Sequence, residues 1–367
     1  MKKSLIAPVA ICALALSLSS CASAPGTTTA TSAASKASVA ASGSSFKACM
    51  VSDSGGFDDK SFNQTSHDGL VKAKTELGIE TNQIQSSADA DYAKNIQSMV
   101  DSKCNMVVGV GFKLADAVEA SAKANPNVKY AVVDSALKNP QPNVKPLLFN
   151  TDESSFLAGY LAAAQSQTHK VGTFGGMKIP SVTIFMDGFS QGVDYYSKNK
   201  NVPTQVLGWD VAKQDGQFVP GSNPFVDVAA GKTTATNLTT QGADVVFPVA
   251  GNAGQGALQV AQESGGKIST IWVDTDGCKS AANYCPVIMS SVYKGMDVAV
   301  FDAIKAAKDG SFTSTAYVGT LKNAGTGISP YNQFDSKISA ATKAEIDTIK
   351  KGIIDGTIKV TSVSANK

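Results

Sequence analysis

Residues 104–135, CNMVVGVGFKLADAVEASAKANPNVKYAVVDS, decide the fold. An apolar, β-rich run (CNMVVGVGF) gives way to a segment with helical spacing (KLADAVEASAKANP), and a second apolar run (VKYAVVDS) follows. Both runs are bounded by Gly, Asp or Pro, the pattern of parallel strands covered on both faces. The alternation extends outward. FKACMVSD reads as a strand and 61–78 as a helix before this unit. After it come the helix ESSFLAGYLAAAQS, the strand HKVGTFGG, the helix TIFMDGFSQGVDYYSKN and the strand TQVLGW. ADVVFPVA and STIWVDTDG are further strands, separated by the helix GQGALQVAQESG, and a helix near 343–352 closes the chain. Two successive β/α series predict an α/β protein of two doubly wound lobes. Ligands of such sheets sit beyond the carboxyl ends of the strands. Asp53, Asp134, Gly251 and Asp274 occupy those ends, which describes a cleft between lobes, although aspartate there also commonly caps the next helix.

The 367 residues are 43% hydrophobic and 17% charged, ordinary for a globular chain of two domains. The 32 cations are all lysine, because the sequence has no arginine. A site that grips phosphate or carboxylate commonly uses the guanidinium fork, so the composition favours an uncharged ligand. Nothing in the charge balance attracts nucleic acid. At the N-terminus, Met1-Lys2-Lys3 precedes the apolar run LIAPVAICALALSL, too short to span a bilayer and fitting a cleaved signal over 1–20. Leu18-Ser19-Ser20-Cys21 resembles a bacterial lipobox, which implies lipidation of Cys21 and anchoring at the outer face of the cytoplasmic membrane. Residues 21–45 are mostly Ala, Ser, Thr and Gly and read as a flexible tether. Four cysteines remain. Cys278 and Cys285 enclose a short loop and are expected to pair, whereas Cys49 and Cys104 each open a strand at different offsets, which leaves their bridge open.

Several motifs dissolve on inspection. AAGKTTA contains Gly-Lys-Thr, but Val226 stands where a phosphate-binding loop needs its first glycine. GNAGQG has the wrong glycine order for a dinucleotide fingerprint and reads equally as a tight strand-to-helix turn or a backbone platform for ligand. His67 and His169 lack catalytic or metal-binding settings, and Asp58 and Asp59, being adjacent, do not face each other. No nucleophile, metal or cofactor site is recognisable, so no enzyme activity is expected. In GGFDDKSFNQTSHDGL, Phe62 and Asn63 stand at a helix entrance, where Phe62 is either a staple for the first turn or a stacking plane beside a polar reader.

DSGGFDDKSFNQTSHDGL, VVGVGF, YAVVDS, ESSFLAGYLAA, GMKIPSVTIFMDGFSQG, GNAGQG, WVDTDG and SSVYKGMDVAV, in this order from Phe46 onward, resemble the signature segments of the basic membrane protein (Bmp) family. The resemblance implies a lipid-anchored purine nucleoside-binding protein of an ABC importer, with permease and ATPase partners and the type I periplasmic-binding-protein fold. It implies two lobes joined by three crossover strands: 46–149 with about 277–311, and 150–276 with about 312–367. It further implies that Asp53 and Asn63 contact ligand, Phe62 stacks on the base, and Asp134 accepts from the purine edge. Phe189 or Phe185 would supply the second aromatic wall, Gly251 a backbone approach, Asp274 an acceptor for ribose hydroxyls, and Lys294 a contact to the sugar. A purine's flat faces suit aromatic planes, and vicinal hydroxyls suit an ionised aspartate. Adenosine, guanosine or inosine bound to a monomer is the expectation. Two departures bear on the pocket rim: the long connection over 210–232 and the loop closed by Cys278 and Cys285. A sugar or polyol receptor of the same fold, and a nucleoside-acting hydrolase, are the alternatives.

Overall fold

The computed structural model describes residues 46–365; the expected signal, the expected lipidation at Cys21 and the expected tether lie outside the described residues. The first sheet begins with β1 (Lys47–Ser52), β2 (Glu80–Gln85), β3 (Met106–Val110), β4 (Lys129–Val133) and β5 (Val144–Phe149), interleaved with α1 (Phe62–Leu77), α2 (Tyr92–Asp101) and α3 (Ala115–Ala124). The chain then crosses into α4 (Thr151–Gln165), β6 (Lys170–Gly175), α5 (Pro180–Lys200), β7 (Gln205–Leu207) and a small ribbon of β8 (Trp209–Asp210) and β9 (Asp215–Gly216). There follow α6 (Val228–Thr240), β10 (Val245–Val249), α7 (Gln255–Glu263), β11 (Ser269–Asp274), α8 (Gly277–Ser280) and β12 (Ile288–Lys294). It returns through α9 (Met296–Lys308) and β13 (Tyr317–Gly319), then crosses again into β14 (Thr326–Ile328) and α10 (Ala340–Asp355).

Strand order is β13-β5-β4-β3-β1-β2 in the first sheet and β14-β12-β11-β10-β6-β7 in the second. Every pairing within the two sheets is parallel except that of β12 with β14. Their central strands are fully buried because helices cover both faces, which is why they read as unbroken apolar runs.

One boundary differs from expectation. The sequence placed about 277–311 in the first lobe, but β12 pairs with β11 through Trp272 and Ser291 and lies in the second sheet. The chain leaves that lobe only after Lys294, and β13 then pairs with β5 in the first sheet. Pairing across a short connection, invisible to local periodicity, fixed that assignment.

Three crossings, near Asn150, Gly295 and Thr320, join the lobes. They are stitched side by side: Asn150 N donates to Gly319 O at 2.8 Å, and Gly295 N donates to Gly325 O at 2.9 Å. A Cβ on Gly319 would stand 2.6 Å from the Phe149 ring, so a side chain there would force the crossings apart.

Both cysteine pairs are bridged, Cys49 to Cys104 and Cys278 to Cys285. Cys104 lies in the turn before β3 rather than in the strand, beside Lys103 at φ 62°, and this turn brings it back to β1 despite the offset.

Candidate functional site

Strand ends from both lobes converge on one cleft. Asp53 follows β1, Gly111 follows β3, Asp134 follows β4, Gly251 follows β10, and Asp274 and Lys294 end β11 and β12. All six line one cavity between the lobes. Asp134 and Asp274 have φ of 61° and 69°, in the left-handed region that aspartate tolerates better than most residues. The chain turns there at the strand ends, and both carboxylates line the cleft.

The polar groups form two separate sets. In the first, Asp59 is buried and caps the entrance to α1, its carboxylate accepting from Ser61 N at 3.0 Å, Asn63 N at 2.9 Å and Gln64 N at 3.0 Å. The Asn63 side-chain amide donates to Asp53 Oδ1 at 2.7 Å and to Asp59 Oδ2 at 3.2 Å. With both amide hydrogens spent on carboxylates, the amide orientation is fixed, and Asn63 Oδ1 remains a buried acceptor without a partner. Gly55 N holds Asp53 Oδ1 at 2.9 Å. Burial pushes the Asp53 carboxyl above the usual range against the pull of Gly55 and Asn63, and burial takes Asp59 up to about 6 against its three N–H donors. This end of the cavity therefore offers hydrogen-bond acceptors.

In the second set, the Lys294 ammonium pairs with Asp134 and stands 3.6 Å from Asp274 Oδ1, with all three side chains nearly buried. Burial pushes the Asp134 carboxyl up and the Lys294 charge pulls it down. Ser61 Oγ donates to Asp274 Oδ2 at 2.7 Å, and Trp272 Nε1 donates to Lys60 O at 3.2 Å, so the two lobes are hydrogen-bonded across the cleft. Phe62 and Phe185 both line the cavity beside the charged set, their ring centroids 5.3 Å and 4.7 Å from the same Lys294 ammonium.

The structure thus brings Asp53, Phe62, Asn63, Asp134, Phe185, Gly251, Asp274 and Lys294 together around one cavity. Phe189 is excluded from its wall: it is fully buried one helical turn further along α5, packed on Phe247 with centroids 5.2 Å apart. Asp134 stands beside Lys294 and Asp274, not beside Asp53 and Asn63. Sequence reading overlooked Asp59 as the organiser of the α1 entrance; its signal was an aspartate placed to accept the first N–H groups of a helix. It also missed Phe112 and Phe225 as walls. Phe225 comes from the long 210–232 connection, whose backbone carbonyl at Phe225 accepts from Ala253 N at 3.1 Å. His67 is structural, bonded to Gln83 and packed on Phe57.

Comparison with known proteins fits this architecture. The model of the Bmp family, described as ABC transporter substrate-binding protein PnrA-like, matches residues 46–363. This chain belongs to the Bmp family. Among its Bmp relatives, the ABC transporter nucleoside-binding protein BmpA of Lactococcus lactis is 32% identical over 334 residues, covering 86% of this chain and 89% of that protein. Basic membrane protein A of Borreliella burgdorferi is 30% identical, covering 86% and 88%. A solved ABC transporter solute-binding protein from Aeropyrum pernix superposes with a TM-score of 0.76 at 25% identity, over 88% of this chain and 94% of that one. As a Bmp protein, the chain is a substrate-binding protein of an ABC transporter, a role that implies permease and ATPase partners. No helix among the described residues is long and apolar enough to cross a membrane.

Proposed function

We propose that this Bmp protein is a non-catalytic, monomeric receptor for neutral purine nucleosides. It would be held at the outer face of the cytoplasmic membrane by lipidated Cys21 and would deliver its cargo to an importer. One observation carries the reading: two aromatic rings, Phe62 and Phe185, read here as an aromatic slot, line one cavity with an acceptor-rich set at Asp53 and Asn63 and a charged set at Asp134, Lys294 and Asp274. A base stacked in the slot would give its N–H donors to Asp53 and to the unpartnered Asn63 Oδ1. The sugar would then lie at the charged end, where Asp274 accepts from two vicinal hydroxyls and Lys294 donates to a sugar oxygen. Asp134 belongs to this sugar end because its carboxylate engages Lys294. Gly251, at φ 53°, brings backbone to the same cavity. The lack of arginine agrees with an uncharged cargo.

The test is calorimetry on protein unfolded, stripped of bound ligand and refolded, titrated with adenosine, guanosine, inosine, ribose and galactose. Saturable heat from at least one nucleoside with none from the sugars is expected. Silence from all nucleosides overturns the reading, binding of the sugars alone makes the slot a sugar site, and release of free base on prolonged incubation makes the protein a hydrolase.

A further inference from the structure

A second chamber, open to solvent at Ala136 and Val363, adjoins the nucleoside cavity on its sugar side. Phe112, Asp134, Ser181 and Lys294 line both spaces, so the chambers meet across the Asp134–Lys294 pair. Beyond that pair the walls are mostly apolar, with Leu148 from the first lobe and Ile184 from α5, alongside the hydroxyls of Ser135, Thr151 and Ser364. Its floor is a docked segment, 363–365, from the end of the described chain. That segment is held in place: Ser364 and Thr183 share a hydroxyl hydrogen bond of 2.7 Å, Ser362 Oγ donates to the buried Asp187 at 2.5 Å, and Thr361 N donates to Gln191 at 3.1 Å. Among the described residues, Lys294 is the chamber's one cationic wall residue, and it is already engaged by Asp134 and Asp274. A phosphate entering here would meet the Asp134 carboxylate and find no free cation.

The nucleoside reading leaves this space unused. With the vicinal hydroxyls held by Asp274, C5′ is the sugar carbon free to carry a group past the Asp134–Lys294 pair. We infer that the cleft accommodates nucleosides bearing a neutral, apolar substituent at C5′, seated in the chamber between Leu148, Ile184 and the 363–365 segment, and that it rejects 5′-phosphates. This inference rests on the nucleoside reading and narrows its substrate class.

The experiment uses matched pairs. Whichever of adenosine and guanosine binds tighter is compared by calorimetry with its 5′-deoxy-5′-methylthio derivative and its 5′-monophosphate. The methylthio compound is expected to bind about as tightly as the parent or up to about fivefold tighter, from the added apolar burial, and the monophosphate at least about a hundredfold weaker. Ala136→Trp fills the chamber from an exposed position outside the nucleoside cavity. It is expected to weaken the methylthio compound about tenfold or more and to leave the parent within about twofold. Ile184→Phe, from the opposite lobe, checks the same selectivity if the first variant folds poorly. A methylthio compound bound tenfold weaker than its parent, a monophosphate bound as well as the parent, or variants that weaken both compounds alike would overturn the inference while the nucleoside reading stands. If no parent nucleoside binds, the nucleoside reading itself has failed.

Discussion

Replacing Asn63 by aspartate tests the organisation of the acceptor-rich end. The Asn63 amide bridges two carboxylates, donating to Asp53 Oδ1 at 2.7 Å and Asp59 Oδ2 at 3.2 Å. Asn63→Asp removes both charge-assisted bonds, each contributing about 1.5–3 kcal/mol. It also sets a third carboxylate against two others, where unit charges about 4 Å apart repel by about 4 kcal/mol at an effective dielectric constant near 20. Proton uptake limits the damage, since a protonated acid restores one donor. The net expectation is a loss of about 3–5 kcal/mol in unfolding free energy at pH 8 and about 1–2 kcal/mol at pH 5. The sign follows from linkage: the introduced carboxyl titrates higher in the folded than in the unfolded chain. The penalty is therefore absent below the unfolded value, grows as pH rises toward the folded value, and is constant above it. Urea unfolding of ligand-free protein at the two pH values measures it. A loss under about 1 kcal/mol at pH 8, or one that does not change with pH, would refute the bridging arrangement.

The two α5 phenylalanines should separate by affinity. Both are fully buried, so either alanine variant should cost about 3–5 kcal/mol of stability, but Phe185→Ala, at the cavity wall, is expected to weaken nucleoside binding about tenfold or more by calorimetry, whereas Phe189→Ala should leave affinity within about twofold. Asp152, buried with an unpartnered Oδ1, is pushed up to about 6 chiefly by burial and then by Glu153. Its folded value lies above its unfolded one, so it costs stability as pH rises from about 4 to about 6; Asp152→Asn should therefore gain up to about 3 kcal/mol at pH 8 and little at pH 4, read by urea unfolding. Loop-closure entropy makes the Cys49–Cys104 bridge, spanning 55 residues, the more stabilising at about 4 kcal/mol, against about 2.5 kcal/mol for the 7-residue span of Cys278–Cys285. Paired serine substitutions followed by urea unfolding compare them.

Much of this site was legible because its parts sit at strand ends, and strands buried on both faces announce themselves as apolar runs. Asp53, Asp134, Gly251 and Asp274 could be placed from that rule alone, and Phe62, Asn63, Phe185 and Lys294 from the ordered family segments. Phe189 could not be told from Phe185, because residues four apart share a helix face. Only depth along α5 separates them: Phe185 lies a turn nearer the end that meets the cleft. Phe225 had no signal, since it lies in an irregular connection whose path depends on contacts such as Ala253 with its backbone. The grouping of Asp134 with Lys294 was hidden for another reason: the two are 160 residues apart and meet only across the lobes.

The side-by-side stitching of the three crossings has a mechanical consequence. One tether between two bodies permits twist, slide and bend in any direction. Three adjacent tethers, bonded at Asn150 to Gly319 and at Gly295 to Gly325, stiffen the joint against twist and slide while leaving flexion soft. The jaws therefore travel on a nearly one-dimensional track, and cargo that stops them short leaves a different gap between the lobe tips. A membrane partner touching both tips can gauge what is inside by that gap alone, without contacting the cargo.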